Sequence, residues 1–311
     1  ALGVRVTQEP NELIQIEAEP DMFRSGTAAA DELGSEMAIP GLDAKLFPYQ
    51  ARGVQWMWQT ARRTGGLILA DEMGLGKTLQ IIALLMMDPP PQTAPALIIC
   101  PTSLIANWVR EISRFAPSLS ILVHRGAYRA GIYRDLQVAS VVITTYDTMV
   151  NDVAVHSSLK WSWVICDEAQ AVKNPESNRR QALATIPRRC VIPMTGTPVE
   201  NRLDDLWSQF AFLTPGLLGT RREFRDRSAL PIADGDAIAL ADLHQQLRPF
   251  LLRRLKREVA PELPPRIEVI EYIDLEPPER ELYDSLLAAT RSDVVEQLAK
   301  GGSVLAALEA L

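Results

Sequence analysis

An α/β fold, a parallel sheet with helices on both faces, is predicted by three observations. The strand-like runs Leu67–Ala70, Ala96–Cys100, Val138–Ile143 and Trp161–Cys166 are apolar at nearly every position instead of alternating, as in strands buried on both faces. Helical segments separate them, which suits parallel crossovers. Polar clusters recur directly after the strands, at the carboxyl edge where open α/β sheets bind ligands.

Residues 1–40 are acidic and weakly patterned, an expected leader or the end of an upstream domain. Over residues 1–45, nine acids (Glu9, Glu12, Glu17, Glu19, Asp21, Asp31, Glu32, Glu36, Asp43) face three bases (Arg5, Arg24, Lys45). From Leu46 strands and helices alternate, so residues 41–202 are expected to form one ligand-binding lobe. Leu67–Ala70 enters a Gly-rich turn, and Leu79 to Met87 reads as the helix after it. Asp88–Pro95 is a Pro-rich surface loop. Ala96–Cys100 precedes Pro101-Thr102-Ser103 and a helix through Phe115. Ser120–His124 is a further strand. Val138–Ile143, Trp161–Cys166 and Cys190–Met194 lead into Thr144-Thr145-Tyr146, Asp167-Glu168 and Thr195-Gly196-Thr197. Leu203–Leu218, Ala237–Leu247 and Phe250–Val259 read as helices, making 203–265 a helical elaboration and linker. After the break at Leu263-Pro264-Pro265, Ile267–Leu275 alternates like a strand and Pro277–Ala289 begins a helix, the expected start of a second lobe over 266–311. Beginning at Ala1 and ending in the apolar-periodic run Val304–Leu311, the chain reads as a piece of a longer protein.

No apolar run approaches the ~18 residues of a membrane-spanning helix, so no membrane partner is expected. Cys100, Cys166 and Cys190 are odd in number, distant and set in apolar runs, which predicts buried reduced thiols and argues against disulfides or zinc. The formal net charge of -7 hides a basic half: Arg179-Arg180, Arg188-Arg189, Arg221-Arg222, Arg225, Arg227, Arg248, Arg253-Arg254, Lys256 and Arg257. Arg runs more often mark solvated helix faces than a ligand track. Arg253, Arg254 and Arg257, beside Phe250, Leu251, Leu255 and Val259, are read as helical and structural or lobe-joining. Trp56, Met57 and Trp58 are read as core. The preference for Arg over Lys suggests a GC-rich, bacterial gene, and the reduced thiols a cytosolic setting.

The turn Asp71-Glu72-Met73-Gly74-Leu75-Gly76-Lys77-Thr78 has the strand–loop–helix setting of a phosphate-binding loop. Backbone N–H groups of Gly74, Leu75, Gly76, Lys77 and Thr78, with the positive end of the following helix, form an anion site. Lys77 would reach the β- and γ-phosphates of ATP and the Thr78 hydroxyl would ligate Mg²⁺. The full pattern places Gly five positions before Gly76, where this chain has Asp71. Asp167-Glu168 ends an apolar strand. In phosphate-loop enzymes the acid ending a neighbouring strand holds Mg²⁺ and the next acid positions the attacking water. Asp167 takes the first role, Glu168 the second.

These residues, with others, resemble the ATPase motor of the SWI/SNF-type (sucrose-nonfermenting) family in helicase superfamily two. Leu46 to Trp56 is similar to the adenine-recognising Q motif, with Gln50 as its glutamine. Asp71–Thr78 is similar to motif I, which in that family also lacks the early Gly. Pro101-Thr102-Ser103-Leu104 with Asn107-Trp108 and Glu111 resembles motif Ia, and Ile143-Thr144-Thr145-Tyr146 the next nucleic-acid-facing motif. Asp167-Glu168-Ala169-Gln170 with Lys173-Asn174 resembles motif II. Met194-Thr195-Gly196-Thr197-Pro198 with Asn201 resembles motif III, and Leu252–Lys256 with Leu263-Pro264 the stretch joining two lobes.

The resemblance implies a RecA-like lobe of a DNA translocase that binds ATP and Mg²⁺ and tracks double-stranded DNA without reading sequence, with a DNA-bound protein as a possible load. Thr102, Ser103, Thr144, Thr145, Gln170, Thr195, Gly196 and Thr197 are the implied DNA-contacting and coupling residues, the first four offering hydroxyls and N–H groups to phosphates. Gln170 departs from the family's usual His, so coupling there cannot titrate. The motifs of the second RecA-like lobe, with its arginines, are absent from this chain, so weak hydrolysis is expected of it alone. A small-molecule ATPase or kinase, or a non-catalytic binding module, are the alternatives. The first lacks a substrate pocket in the sequence, and intact Lys77, Thr78, Asp167 and Glu168 speak against the second.

Overall fold

The computed structural model describes residues 5–6, 16–17, 38–127, 129, 131–172, 174, 177–196, 203–259 and 276–285. Two compact units divide at Leu263/Pro264. In the first, five strands form a parallel sheet: β2 (Ala96–Cys100), β3 (Ile121–Val123), β4 (Val141–Thr145), β5 (Trp161–Cys166) and β6 (Arg188–Pro193), ordered β3-β4-β2-β5-β6. The strand entering the phosphate loop, β1 (Ile68–Leu69), continues this sheet beside β6, through Leu67 N–H to Val191 O (3.1 Å) and Thr195 N–H to Leu69 O (3.2 Å). Outside β1 lies β7 (Leu251–Leu252), parallel, with Ile68 opposite Leu251. Among the described residues, Arg5–Val6 also pairs antiparallel with Ile16–Glu17.

Successive side chains feed two separate cores. Leu97, Ile99, Val164 and Cys166 enter one, with Phe210 and Phe224. Ala96, Ile98, Cys100, Trp163 and Ile165 enter the other, with Met57 and Trp108. Both faces are therefore dry, which explains the continuous apolarity of the strands. The three cysteines are free and buried, and burial pushes each thiol up to about 12. Met57 is fully buried and Trp56 and Trp58 pack against the same core, as expected.

The helices that matter for the site are α1 (Pro48–Thr64), α2 (Lys77–Met87), α3 (Ile105–Phe115), α4 (Tyr146–Asn151), α5 (Asn178–Thr185), α6 (Leu203–Leu213), α7 (Ala237–Leu247) and α8 (Lys256–Val259). Pro48 starts α1 at a position with no N–H to satisfy. Three expectations are corrected. The helix from Leu203 stops at Leu213, because Pro215 disfavours helical backbone before it and Gly216 turns at φ 90°. The run Phe250–Val259 is not one helix: Leu251–Leu252 is β7, because the open edge of β1 offers it backbone partners, such as Ala70 N–H to Leu252 O at 2.7 Å. Strand β5 is not adjacent to β1, since β6 lies between them. The predicted strand Ile267–Leu275 lies outside the described residues. In the second unit, residues 277–285 are helical.

Candidate active site

The loop Asp71–Thr78 turns from β1 into α2 through Gly74 (φ 90°) and Gly76 (φ 73°), left-handed backbone that side chains rarely adopt. A Cβ on Gly76 would also collide with the Gln50 amide nitrogen. Gln50 is buried on α1. Its Oε1 accepts from Phe47 N–H (3.0 Å) and its Nε2 donates to Leu75 O (3.3 Å), so it ties the start of α1 to the loop. Tyr49 Oη and Gln80 Nε2 reach the same carbonyl at 3.2 and 3.3 Å. The loop is thus held largely through the Leu75 carbonyl, with Leu75 N–H turned back to Glu72 O (3.3 Å) and Glu72 N–H to Arg254 O (3.0 Å).

Asp71 is fully buried and salt-bridged to Arg254, which follows β7. Arg254 Nε lies 2.9 Å from Asp71 Oδ1, Nη2 lies 2.7 Å from Gln80 Oε1, and Gln80 Nε2 donates to Asp71 Oδ2 at 3.0 Å. The acid in place of the early Gly thus anchors Arg254 and the stretch after β7 to the loop. Arg253 Nη1 donates to Gly196 O (3.2 Å), and the Lys256 N–H to Glu72 Oε2 (2.7 Å). Arg253 and Arg254 are therefore structural, as expected, although not helical.

Lys77 Nζ rests on Asp71 O (2.7 Å). Burial lowers its proton affinity, while Asp71, Asp167 and Glu168 raise it. Lys77, Asp167 and Glu168 all follow carboxyl ends of parallel strands in this sheet, near enough for their charges to interact. Burial raises the Asp167 carboxyl pKa, opposed chiefly by a hydrogen bond from Trp108 Nε1 to Oδ2 (2.9 Å). Asp167 Oδ1 accepts from Glu168 N–H (3.0 Å). Glu168 has φ 49°, a left-handed conformation costly for a residue with a side chain and typical of functional sites. Its Oε2 accepts from Gln170 Nε2 at 2.9 Å, so the residue in the usual His position holds the second acid directly. Thr78 is half-buried at the start of α2.

Among the described residues no group of three or more His, Cys, Asp or Glu could cage a metal ion. One carboxylate, one hydroxyl and an anion cradle fit Mg²⁺ instead, which is normally held by few protein ligands plus substrate phosphates.

The residues expected to face DNA divide. Thr102 and Ser103 are exposed after β2. Thr144 is corrected: it is fully buried, with its hydroxyl donated to His124 O (2.9 Å), because the strand's alternation points it inward. Thr145 is also buried and caps α4, accepting from Thr148 N–H (3.2 Å). Neither hydroxyl is offered to a phosphate. Thr195 is buried beside Leu69, Gly196 meets Arg253, and Thr197 lies outside the described residues. Several arginines of the basic half are also committed internally: Arg180 and Arg188 sit over the Phe212 ring (4.5 and 4.3 Å), and Arg189 over Trp163 (4.6 Å).

Behind Thr144, His124 Nε2 contacts Asp152 Oδ2 (2.9 Å), and Asp152 pairs with Arg129. His156 meets His124 edge-on at 5.1 Å, touches Trp161, and has no hydrogen-bond partner on either ring nitrogen. Burial, then His124, lowers its pKa from 6.5 to about 4, against a smaller opposing effect of Asp152. Between those values the unfolded chain binds a proton that the folded one does not. His156 therefore costs the fold stability as pH falls through 6.5 to about 4, reaching about 3 kcal/mol at the acid end. Urea unfolding from pH 7 to pH 4 should show a shallower loss for His156→Leu than for the native chain; equal slopes would refute this.

Comparison with known proteins shows the family and the fold. The family model described as the SNF2-related domain matches residues 49–308. The putative ATP-dependent helicase/translocase YwqA of Bacillus subtilis is 40% identical over 273 residues, covering 84% of this chain and 29% of that protein. The TATA-binding protein-associated factor MOT1 of Saccharomyces cerevisiae is 35% identical, covering 78% of this chain and 14% of that protein. The SWI2/SNF2 ATPase core of Sulfolobus solfataricus solved with double-stranded DNA superposes with a TM-score of 0.65 at 35% identity, over 84% of this chain and 55% of that one. The chain thus spans under a third of these curated relatives. Sequence reasoning missed the Asp71–Arg254 pair and the contacts of Trp108 and Gln170 with the two acids. An unmatched acid in the loop and paired arginines in the apolar stretch Leu251–Leu255 were the available signals for the first.

Proposed function

Because the chain belongs to the SNF2-related family, we propose that it is the ATP-binding lobe of a motor that hydrolyses ATP with Mg²⁺ to move along double-stranded DNA. The convergence of Lys77, Asp167 and Glu168 beside the glycine cradle carries this reading. Gly74 to Thr78 would hold the phosphates by main-chain N–H groups. Lys77 would leave the Asp71 carbonyl for the phosphates, Thr78 and Asp167 would hold Mg²⁺, and Glu168, steadied by Gln170, would orient the attacking water. Bound Mg²⁺ supplies neutralisation of the charge that develops on the phosphates. Gln50 would bring the base side of the nucleotide against α1.

Thr102 and Ser103, at the same edge of the sheet, would meet the DNA backbone, so binding should be independent of sequence and weaken with salt. The solved relative in complex with double-stranded DNA supports duplex as the track. The relative named for association with the TATA-binding protein supports a DNA-bound protein as the load. Arginines from a second lobe would complete catalysis. Since such residues are worth about 10³–10⁵ in rate, this chain alone should hydrolyse ATP poorly.

The deciding experiment is ATPase activity of the full-length protein with duplex DNA, single-stranded DNA and RNA in turn. Stimulation by duplex supports the reading, and indifference to all three overturns it. In a fluorescent-nucleotide titration, Lys77→Ala should weaken binding roughly 10–100-fold, the value of a charge-assisted contact; unchanged affinity would remove Lys77 from the site.

A further inference from the structure

We propose that Trp108 and Tyr146 are positioning residues through which the DNA-facing Thr102-Ser103 segment and the segment after β4 set Asp167 and Glu168; this rests on the motor reading above. Trp108 belongs to α3, which follows the exposed Thr102-Ser103 turn. Tyr146 opens α4 directly after Thr145. From the helices after β2 and β4, packed in the two cores on opposite faces of the sheet, both side chains reach one residue. The Trp108 indole N–H donates to Asp167 Oδ2 (2.9 Å), and the Tyr146 hydroxyl donates to the Asp167 main-chain oxygen (2.7 Å). Both are buried, Trp108 completely.

The consequence lies in the peptide joining Asp167 to Glu168. Its carbonyl is held by Tyr146. Its N–H is held by Asp167 Oδ1 (3.0 Å), the other oxygen of the carboxylate that Trp108 grips. The same peptide leads into the left-handed conformation of Glu168. Its plane fixes where the Glu168 side chain sets out, and its two handles come from the helix after the exposed Thr102-Ser103 turn and the helix after β4. Buried Trp and Tyr normally find some acceptor. Here two elements spend their donors on one residue, the one whose carboxylate would hold the metal. A shift of α3 or α4 on DNA engagement would rotate this peptide and re-aim both acids.

The test uses the full-length protein with Tyr146→Phe, which removes a single oxygen atom, and Trp108→Phe. Two quantities are read: the ratio of duplex-stimulated to DNA-free kcat, and duplex affinity by anisotropy with and without a non-hydrolysable Mg²⁺-nucleotide. The ratio should fall at least about fivefold in each variant, the lower end of ordinary coupling between sites. Duplex affinity without nucleotide should stay within about twofold, and the factor by which nucleotide changes it should shrink towards one, since coupling between binding sites is reciprocal. A merely structural role would lower both rates in proportion to the folded fraction and leave ratio and factor at native values, which would overturn the proposal. Should Trp108→Phe fail to fold, Tyr146→Phe decides alone. A native protein that duplex does not stimulate refutes the motor reading itself, before any variant is compared.

Discussion

Glu168→Gln in the full-length protein is expected to lower kcat for ATP hydrolysis by about 10²–10⁴, the usual worth of a group that orients and deprotonates a nucleophile. Nucleotide affinity should stay within about twofold, the scatter expected when no binding contact is removed. The substitution is close to isosteric, and its amide oxygen can still accept from Gln170 Nε2, which now lies 2.9 Å from Glu168 Oε2. The left-handed backbone at φ 49° and the peptide held by Tyr146 do not depend on the charge. Only the carboxylate's capacity to draw a proton from water is lost. Single-turnover hydrolysis with a parallel fluorescent-nucleotide titration separates the two effects. A kcat within about threefold of native would move the water-positioning role to another group. A matching loss of affinity would make Glu168 a binding residue.

The sheet was legible because burial on both faces leaves short continuous apolar runs bounded by turn signals: Ala96–Cys100 and Trp161–Cys166 are apolar at nearly every position, and each is buried throughout. The carboxyl-edge site was legible for a related reason, since acids and hydroxyls directly after such strands have one place to go. Strand order was not legible, and β6 intervening between β1 and β5 had no counterpart in the pattern. Leu251–Leu252 was read as helix because two apolar residues satisfy either period; the free edge of β1, a partner remote in sequence, decides the outcome. Thr144 was misread for a similar reason. Its motif suggests contact with a phosphate, but the alternation of β4 turns its hydroxyl inward to His124. Asp71 and Arg254 are 183 positions apart, and no local rule joins them.

That pair sets the second large effect. Arg254→Met should destabilise the lobe by about 3–5 kcal/mol, since it leaves the fully buried Asp71 carboxylate without its countercharge. The guanidinium is packed as well as paired: a Cβ on Gly53 would lie 2.7 Å from Nη2, so α1 approaches it through a glycine. Removing the acid too, in Asp71→Asn/Arg254→Met, should restore much of the loss, because a buried pair replaced on both sides is far less costly than one broken on one side. Urea midpoints for the native chain, the single variant and the double variant test this, and a double variant no more stable than the single would show that packing, not charge, governs the site. The same variants bear on nucleotide. Arg254 follows the strand paired to β1, while Asp71 opens the phosphate loop and its carbonyl holds Lys77 at 2.7 Å. Loosening that anchor should weaken nucleotide binding even in molecules that remain folded. The stretch Leu251–Lys256 and the loop Asp71–Thr78 are therefore one mechanical unit: whatever pulls on the first pulls on the loop proposed to grip the phosphates.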